Sequence, residues 1–182
     1  MKLYLLLFFN VLLFINVSCS PRVQVNTEPA AADFHLSNYQ TFAFFDVDAS
    51  GEALSSGYQQ QVEYMKSEIA QQLQRRGLTP ATDQPDLLIN LGIVVNEEVQ
   101  TRETNIVTDP PQYIGQRRYT WRSREVEVGR YREGTVSVHL VDNAQNELVW
   151  RGTAEGVLPR KSSEIQEQIA EGVEKLFSKV PQ

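Results

Sequence analysis

A pair of alternating segments in the C-terminal half constrains the fold of this 182-residue chain more than any other feature. Between Arg132 and Val157 two apolar segments flank the Asx-rich stretch Asp142–Asn146, whose residue types favour turns. The first segment has the period-two pattern of a strand with one buried face. Its predicted inward residues are Val136, Val138 and Leu140, and those of the second segment are Leu148, Trp150 and Ala154. The sequence therefore predicts a β-hairpin, with Trp150 as a core aromatic rather than a binding residue.

Two helices and a long central strand complete the predicted core. Apolar residues three and four positions apart predict the helices, and both begin with capping-box spacing. The predicted elements are helices at Ser56–Arg76 and Ser163–Lys179, strands at Val23–Val25, Thr41–Phe45 and Leu87–Val95, and a loop at Asp46–Ser56. We predict an α+β fold, a two-layer sandwich in which two helices cover one face of a mostly antiparallel sheet of about four to five strands. The strand before the first helix is expected to add a parallel pairing.

The N-terminal leader predicts export and lipid attachment. Lys2 precedes the apolar run Leu3–Val17, which is shorter than the ~20 residues of a membrane-spanning helix and fits a signal peptide. Val17-Ser18-Cys19 is similar to a bacterial lipobox, although Asn16 stands where Leu is usual. We predict cleavage between Ser18 and Cys19 and lipidation of Cys19. The alternative is an ordinary secretory signal that contains a cysteine.

Lipidation would place the protein on a membrane, because two or three acyl chains hold a protein there stably. Ser20 follows the cysteine, and a residue other than Asp at that position resembles the outer-membrane default. We therefore expect a lipid-anchored protein on the periplasmic side of the outer membrane. The predicted organisation is a signal peptide at 1–18, a lipidated tether at 19–32 and one globular domain at 33–182.

An arginine-rich segment at 117–132 stands out from the rest of the chain. It carries six arginines and two acids in a protein whose net charge is −6, and the overall charge argues against nucleic acid as a partner. The candidate interaction residues are Arg117, Arg118, Tyr119, Trp121, Arg122 and Arg124. Three interpretations are open: arginines paired with the domain's own carboxylates, contact with an envelope protein or glycan, and attraction to anionic lipid head groups.

Few residues in the sequence are typical of catalysis or metal binding. Only two histidines are present, His35 and His139, and neither has other ligand-type residues at metal-site spacing. Glu97, Glu98 and Glu103 resemble paired carboxylates for glycoside hydrolysis, but they are more typical of a solvated strand end. We therefore predict no catalytic residue, no metal and no cofactor.

Several motifs together resemble a known family. They are YQTFAF at 39–44, QPDLLIN at 84–90, EGT at 133–135, LVD at 140–142 and LVWRGTA at 148–154. This pattern is similar to that of the bacterial lipoproteins classed as domain of unknown function 4136, and it covers nearly the whole mature chain. The chain departs from that family in having the arginine-rich segment where a Gly-, Tyr- and Trp-rich insertion is common, and His139 where an acid is common. The resemblance implies a fold and a location rather than an activity.

Three functional hypotheses follow. The first is a non-enzymatic envelope lipoprotein whose domain contacts another envelope component. The second is a small-ligand binding module, which an apolar pocket with a few convergent polar groups would favour. The third and weakest is a cell-wall glycan hydrolase that uses Glu97, Glu98 or Glu103.

Overall fold

The structure is a computed structural model that describes residues 23–54, 56–110 and 122–182. The predicted signal peptide and Cys19 lie outside these residues. Six strands and two helices are described: β1 (Gln24–Thr27), β2 (Thr41–Gly51), α1 (Ser56–Arg75), β3 (Thr79–Pro80), β4 (Leu87–Glu103), β5 (Glu125–Asp142), β6 (Glu147–Leu158) and α2 (Ser162–Phe177). Both predicted helices are therefore confirmed to within two residues.

All six strands form one mixed sheet in the order β1-β6-β5-β4-β2-β3. The pairs β1–β6, β6–β5 and β5–β4 are antiparallel, whereas β2 runs parallel to both β4 and β3. The predicted α+β class and the parallel pairing of β2 are confirmed. The predicted count of about four to five strands is slightly too low, because the edge strand β3, which is only 2 residues long, was not predicted. The predicted short strand at Val23–Val25 corresponds to β1. β1 also lies within the segment predicted to be a tether.

The core lies between one face of the sheet and the two helices. The predicted inward face of β4 is confirmed, since the five alternating residues from Leu87 to Val95 are at most 5% exposed. The helices contribute apolar residues at helical spacing, among them Ile69, Leu73, Val173, Leu176 and Phe177. Each large side chain buried in this way contributes about 1.5–3 kcal/mol relative to an exposed one.

The segment after Phe45, predicted as a loop, is instead the second half of β2. A bulge lies between Phe44, which pairs with Ile89, and Asp46, which pairs with Asn90. The bulge leaves Phe45 72% exposed and restores the inward alternation at Val47 and Ala49. The polar composition of residues 46–51 predicted a loop. The strand forms through backbone pairing with β4, which continues to Gly51, and such pairing leaves no signal in the side chains.

A second bulge overturns the predicted face of Leu148. Leu140 pairs with Trp150, and Val141 pairs with Leu148, so Val149 is the extra residue in β6. As a result Val149 and Trp150 are both buried, at 7% and 2% exposure, whereas Leu148 is 46% exposed. An inserted residue moves the side chains that precede it in the strand to the opposite face of the sheet. The predicted core position of Trp150 is confirmed.

The glycine of the LVWRGTA motif serves close packing. A Cβ atom at Gly152 would lie 2.6 Å from Cη2 of Trp150 and 2.8 Å from Cδ1 of Leu176. The missing side chain lets the indole ring of Trp150 lie over the strand and under α2, where it also contacts Phe177. The packing of Trp150 thus requires a residue without a side chain at position 152.

The QPD part of the QPDLLIN motif joins three elements at one end of the sheet. Oδ2 of Asp86 accepts hydrogen bonds from the backbone N–H groups of Gln40 and Thr41, at 3.0 and 2.9 Å, and from the Thr41 hydroxyl at 2.8 Å. The backbone O of Asp86 accepts from the N–H of Asn143 in the β5–β6 turn at 3.0 Å. The hydrogen bond from the Thr41 hydroxyl, followed by those from the two backbone N–H groups, lowers the pKa of Asp86.

At the other end of the sheet, β4 and β5 extend beyond their neighbours. β2 pairs with β4 only as far as Val95, and β6 pairs with β5 only from Arg132 onward. Residues 96–103 and 125–131 therefore form a two-stranded projection, here called the arm, of about 25 Å at ~3.3 Å per residue.

We predict that Gly152→Ala lowers the free energy of unfolding by about 1–3 kcal/mol, because the added methyl group overpacks the contact between Trp150 and Leu176. The matched control is Gly92→Ala in β4, where the nearest atom to a new Cβ is Cβ of Ser137 at an ordinary 3.7 Å. Equilibrium urea unfolding of both variants measures the difference. Equal losses in the two variants would contradict the packing role of Gly152.

We predict that Asp86→Asn removes stability that depends on pH. The folded-state pKa of Asp86 lies below its ordinary value of 3.8, so its contribution is present above that value and is lost as pH falls through the folded-state pKa. The stability gap between wild type and Asp86→Asn should therefore shrink as pH falls from about 6 to about 2. Urea unfolding at a series of pH values measures the gap, and a gap that does not change with pH would refute the role.

Candidate functional site

An apolar cleft lies between the helices and the sheet, near the end from which the arm projects. Its walls come from β4, β5, β6 and both helices, and they include Val62, Met65, Ile93, Val136, Ile169 and Val173. The cleft has a volume of about 90 Å³ and is partly open to solvent. A fully enclosed apolar cavity of about 150 Å³ holds benzene, so this space suits a single ring or a short aliphatic group whose remainder extends outward.

Two buried glutamines distinguish the cleft from ordinary core. Gln61 of α1 and Gln168 of α2 both line it, and each is 8% exposed. Nε2 of Gln61 donates to Oγ of Ser162 at 2.8 Å, and Nε2 of Gln168 donates to the backbone O of Val157 at 3.1 Å. The Oε1 atoms of both glutamines are buried without a partner among the described residues.

Unpaired buried acceptors are energetically costly, by about 1–3 kcal/mol each. A flip of the Gln61 amide would leave its nitrogen unpaired instead, because that side chain makes its hydrogen bond to one hydroxyl. Both side chains line the same mostly apolar cleft, and a hydroxyl or N–H donor is the kind of group that satisfies an amide oxygen. The arrangement thus combines apolar contact with hydrogen bonding to a neutral donor.

The rim of the cleft on the side of the arm is charged. Nη1 of Arg132 donates to the hydroxyl of Tyr58 at 2.7 Å and lies 4.0 Å from Oε2 of Glu52. The guanidinium group also lies over the ring of Tyr58, 5.9 Å from its centre. Tyr58 in turn lines the cleft, so Arg132 fixes one wall of it.

Glycines let α2 approach the sheet beside the cleft. A Cβ atom at Gly156 would lie 2.6 Å from Nε2 of Gln168, and one at Gly172 would lie 3.3 Å from Cγ1 of Val23. Val23 itself lines the cleft. The chain therefore enters the described part of the domain at the cleft.

The arginine-rich segment is described only in part. Arg117, Arg118, Tyr119 and Trp121 lie outside the described residues. Arg122 and Arg124 are exposed near the end of the arm, and the backbone of Arg124 pairs with Thr104 through bonds of 2.7 and 2.8 Å. Contact of this segment with an envelope protein, a glycan or lipid stays a prediction.

Two of the six arginines form ion pairs with acids of the domain itself, which is the first of the three interpretations. Arg130 forms ion pairs with Glu127 at 2.7 Å and Glu97 at 3.7 Å, and Arg132 forms the rim contacts with Tyr58 and Glu52. These pairs are partly exposed, and exposed pairs contribute little stability, about 0–1 kcal/mol each.

The three glutamates considered for glycoside hydrolysis lie on the arm. Glu97, Glu98 and Glu103 are all exposed, and none of them lines the apolar cleft. Glu97 and Glu98 are consecutive strand residues, so their side chains point to opposite faces of the arm. The arrangement gives no support to a paired-carboxylate site.

The two histidines lie in different settings. Nδ1 of His35 lies 2.9 Å from the backbone O of Gln182. His139 is half-buried on the face of the sheet opposite the helices, where burial, and then Arg151, lower its pKa. No group of three or more His, Cys, Asp or Glu residues suited to a metal ion occurs in residues 23–54, 56–110 and 122–182.

The two glutamines of the cleft were missed in the sequence, although a signal was present. Gln61 lies three residues after Tyr58 and four before Met65, on the apolar face of α1. Gln168 stands in the same relation to Ile165 and Gly172 of α2. A polar residue within an apolar stripe indicates a buried polar group, but the sequence does not show that both amides reach the same cleft.

No helix in the described ranges is long and apolar enough to cross a membrane.

A family model described as "Domain of unknown function (DUF4136)" matches residues 23–182. The match confirms the resemblance that the motifs indicate. No curated protein matches the chain significantly.

Solved structures with a similar arrangement share little sequence with this chain. A DUF4136 family protein from Bacteroides thetaiotaomicron is 14% identical with a TM-score of 0.49, over 88% of this chain and 96% of that one. The PelC dodecamer from Paraburkholderia phytofirmans is 12% identical with a TM-score of 0.48, over 88% and 100% of the two chains. A PDZ domain protein from Parabacteroides distasonis is 16% identical with a TM-score of 0.47, over 86% of this chain but 36% of that protein. At these levels the similarities carry no functional argument.

Proposed function

We propose that this chain, which belongs to the DUF4136 family, is a lipid-anchored envelope protein that binds a small apolar ligand in the cleft between its helices and its sheet. The single observation that supports binding is the pair of unpaired Oε1 atoms of Gln61 and Gln168 within an apolar cleft. The lipid anchor at Cys19 and the location on the periplasmic side of the outer membrane rest on the leader sequence. Binding without catalysis is the role that the arrangement supports best.

The chemistry of the cleft defines the class of ligand. Its apolar walls favour a ring or a short aliphatic group through burial of apolar surface, at roughly 25 cal/mol per Å². The two amide oxygens are hydrogen-bond acceptors without a partner in the described part of the chain, so the ligand should carry a hydroxyl or N–H donor. No charged side chain among the described residues is buried in the cleft to compensate a charged ligand, and burying an unpaired charge is costly. The expected ligand therefore enters the cleft with a neutral part.

We predict that indole binds more tightly than indene. The two molecules have the same shape, but only indole has an N–H donor. A hydrogen bond to an otherwise unpaired acceptor contributes about 1–1.5 kcal/mol, which corresponds to roughly a five- to tenfold lower Kd for indole. Titrations followed by two-dimensional NMR of the protein measure both values of Kd.

The control for this prediction uses matched glutamine variants. Gln61→Met together with Gln168→Met keeps the cleft apolar and removes both acceptors, so the Kd ratio of indene to indole should fall to about one. Gln60→Met, at an exposed neighbouring position on α1, should leave the ratio unchanged. Equal binding of indole and indene by the wild-type protein would overturn the proposed role of the glutamines, and absence of binding by both would overturn the ligand site.

A further inference from the structure

The anchored end of the chain and the arm leave the sheet on the same side. β1 is antiparallel to β6, with Gln24 beside Glu155, and Glu155 in turn pairs with Thr135 of β5. From that level β5 runs back to Glu125 at the end of the arm. Because β1 and β5 are both antiparallel to β6, they run in the same direction, and the N-terminal end of β1 points toward the end of the sheet that bears the arm.

The end of the arm lies farther from the level of Gln24 than the chain between Gln24 and Cys19 can reach. Ten residues separate Thr135 from Glu125, about 33 Å at ~3.3 Å per residue. Five residues separate Gln24 from Cys19, which span at most about 17 Å when fully extended. If Cys19 sits at a bilayer surface, an arm perpendicular to that surface would pass through it. The arm must therefore be inclined to the surface, at an angle that allows its end to lie there.

The reverse orientation is excluded by the same lengths. Asp142, at the start of the β5–β6 turn, lies seven residues from Thr135 on the side away from the arm, about 23 Å. This distance is greater than the ~17 Å reach of the tether, so the β5–β6 turn cannot face the membrane while Cys19 is held in it. Of the two ends of the sheet, the one that bears the arm is thus the one that the tether can hold near the bilayer.

The end of the arm carries exposed apolar side chains on an ordered turn. Ile106 is 55% and Val107 81% exposed. The turn that carries them is fixed, because Oδ1 of Asn105 accepts from the N–H of Val107 at 2.7 Å, and Arg102 forms two hydrogen bonds with Asp109 at 2.6 and 2.7 Å. Adjacent exposed apolar residues of this kind mark contact surfaces more often than isolated ones do.

Charged side chains of both signs are exposed near the end of the arm. Among the described residues they include Arg122 and Arg124 together with Glu103 and Glu125. Long arginine side chains can extend to the head groups while apolar neighbours lie deeper. Membrane contact at this turn is thus indicated by the length of the tether and by the exposed pair Ile106 and Val107.

We propose that the end of the arm, with Ile106 and Val107 at its turn, rests in the interface of the bilayer that holds the lipid anchor. The proposal rests on lipidation at Cys19, which is part of the proposed function. Its consequence is that the domain has a defined orientation, with the mouth of the cleft, next to Val23, on the side of the membrane.

The test uses the full lipidated chain, purified in detergent and reconstituted in vesicles of phosphatidylethanolamine and phosphatidylglycerol. Cys19 is the one cysteine of the sequence, and its thiol is consumed by lipidation. Val107→Cys and Ala144→Cys therefore each provide a single free thiol for an environment-sensitive NBD label, one on the arm and one in the β5–β6 turn. Lipids with bromine on their acyl chains then report, by quenching, which label contacts the bilayer.

We expect the label at position 107 to be quenched at least threefold more than the label at 144. Equal quenching, or stronger quenching at 144, would overturn the proposed contact. Flotation of the vesicles is measured on the same samples and tests the anchor separately: the lipidated chain should float with the vesicles, and Cys19→Ser should not. A wild-type chain that fails to float would overturn the anchor, and the arm contact with it, while leaving the ligand cleft untouched.

Discussion

The antiparallel pairing of β4 with β5 is the interaction on which the rest of the structure depends. These strands are 17 and 18 residues long and pair from Leu87 with Asp142 to Glu103 with Glu125. The half of this pair that is flanked by β2 and β6 supplies the buried face against which both helices pack. The other half has no flanking strand among the described residues and becomes the arm. One ladder thus determines both the floor of the cleft and the projection beside it.

The sequence predicted the elements that have a strong side-chain period. The inward faces of β4 and β5, both helices and the core position of Trp150 follow from apolar spacing alone. The errors lie where backbone pairing overrides side-chain pattern, namely the second half of β2 and the face of Leu148, because a bulge changes the alternation without a residue type that marks it. The short edge strand β3 was missed for a related reason, since Pro80 is typical of an edge and not of a strand interior.

The candidate site could be predicted only in part. Gln61 and Gln168 each interrupt an apolar stripe, but their presence in the same cleft depends on how α1 and α2 lie over the sheet, which no local pattern encodes. The arginine-rich segment attracted attention in the sequence because of its composition, yet Arg130 and Arg132 pair within the domain. Arg132 lies at the rim because the strand register sets it opposite Glu97 and Leu158. Such a register is determined by the whole sheet and not by the local sequence.

The central claim is that the cleft between the helices and the sheet is a ligand site. The most direct measurement is NMR detection of intermolecular NOEs between indole and the methyl groups of the isotope-labelled protein. The account predicts NOEs to methyl groups that line the cleft, such as those of Val62, Ile93 and Ile169. NOEs confined to exposed methyl groups elsewhere, such as those of Val107 and Leu148, would contradict it.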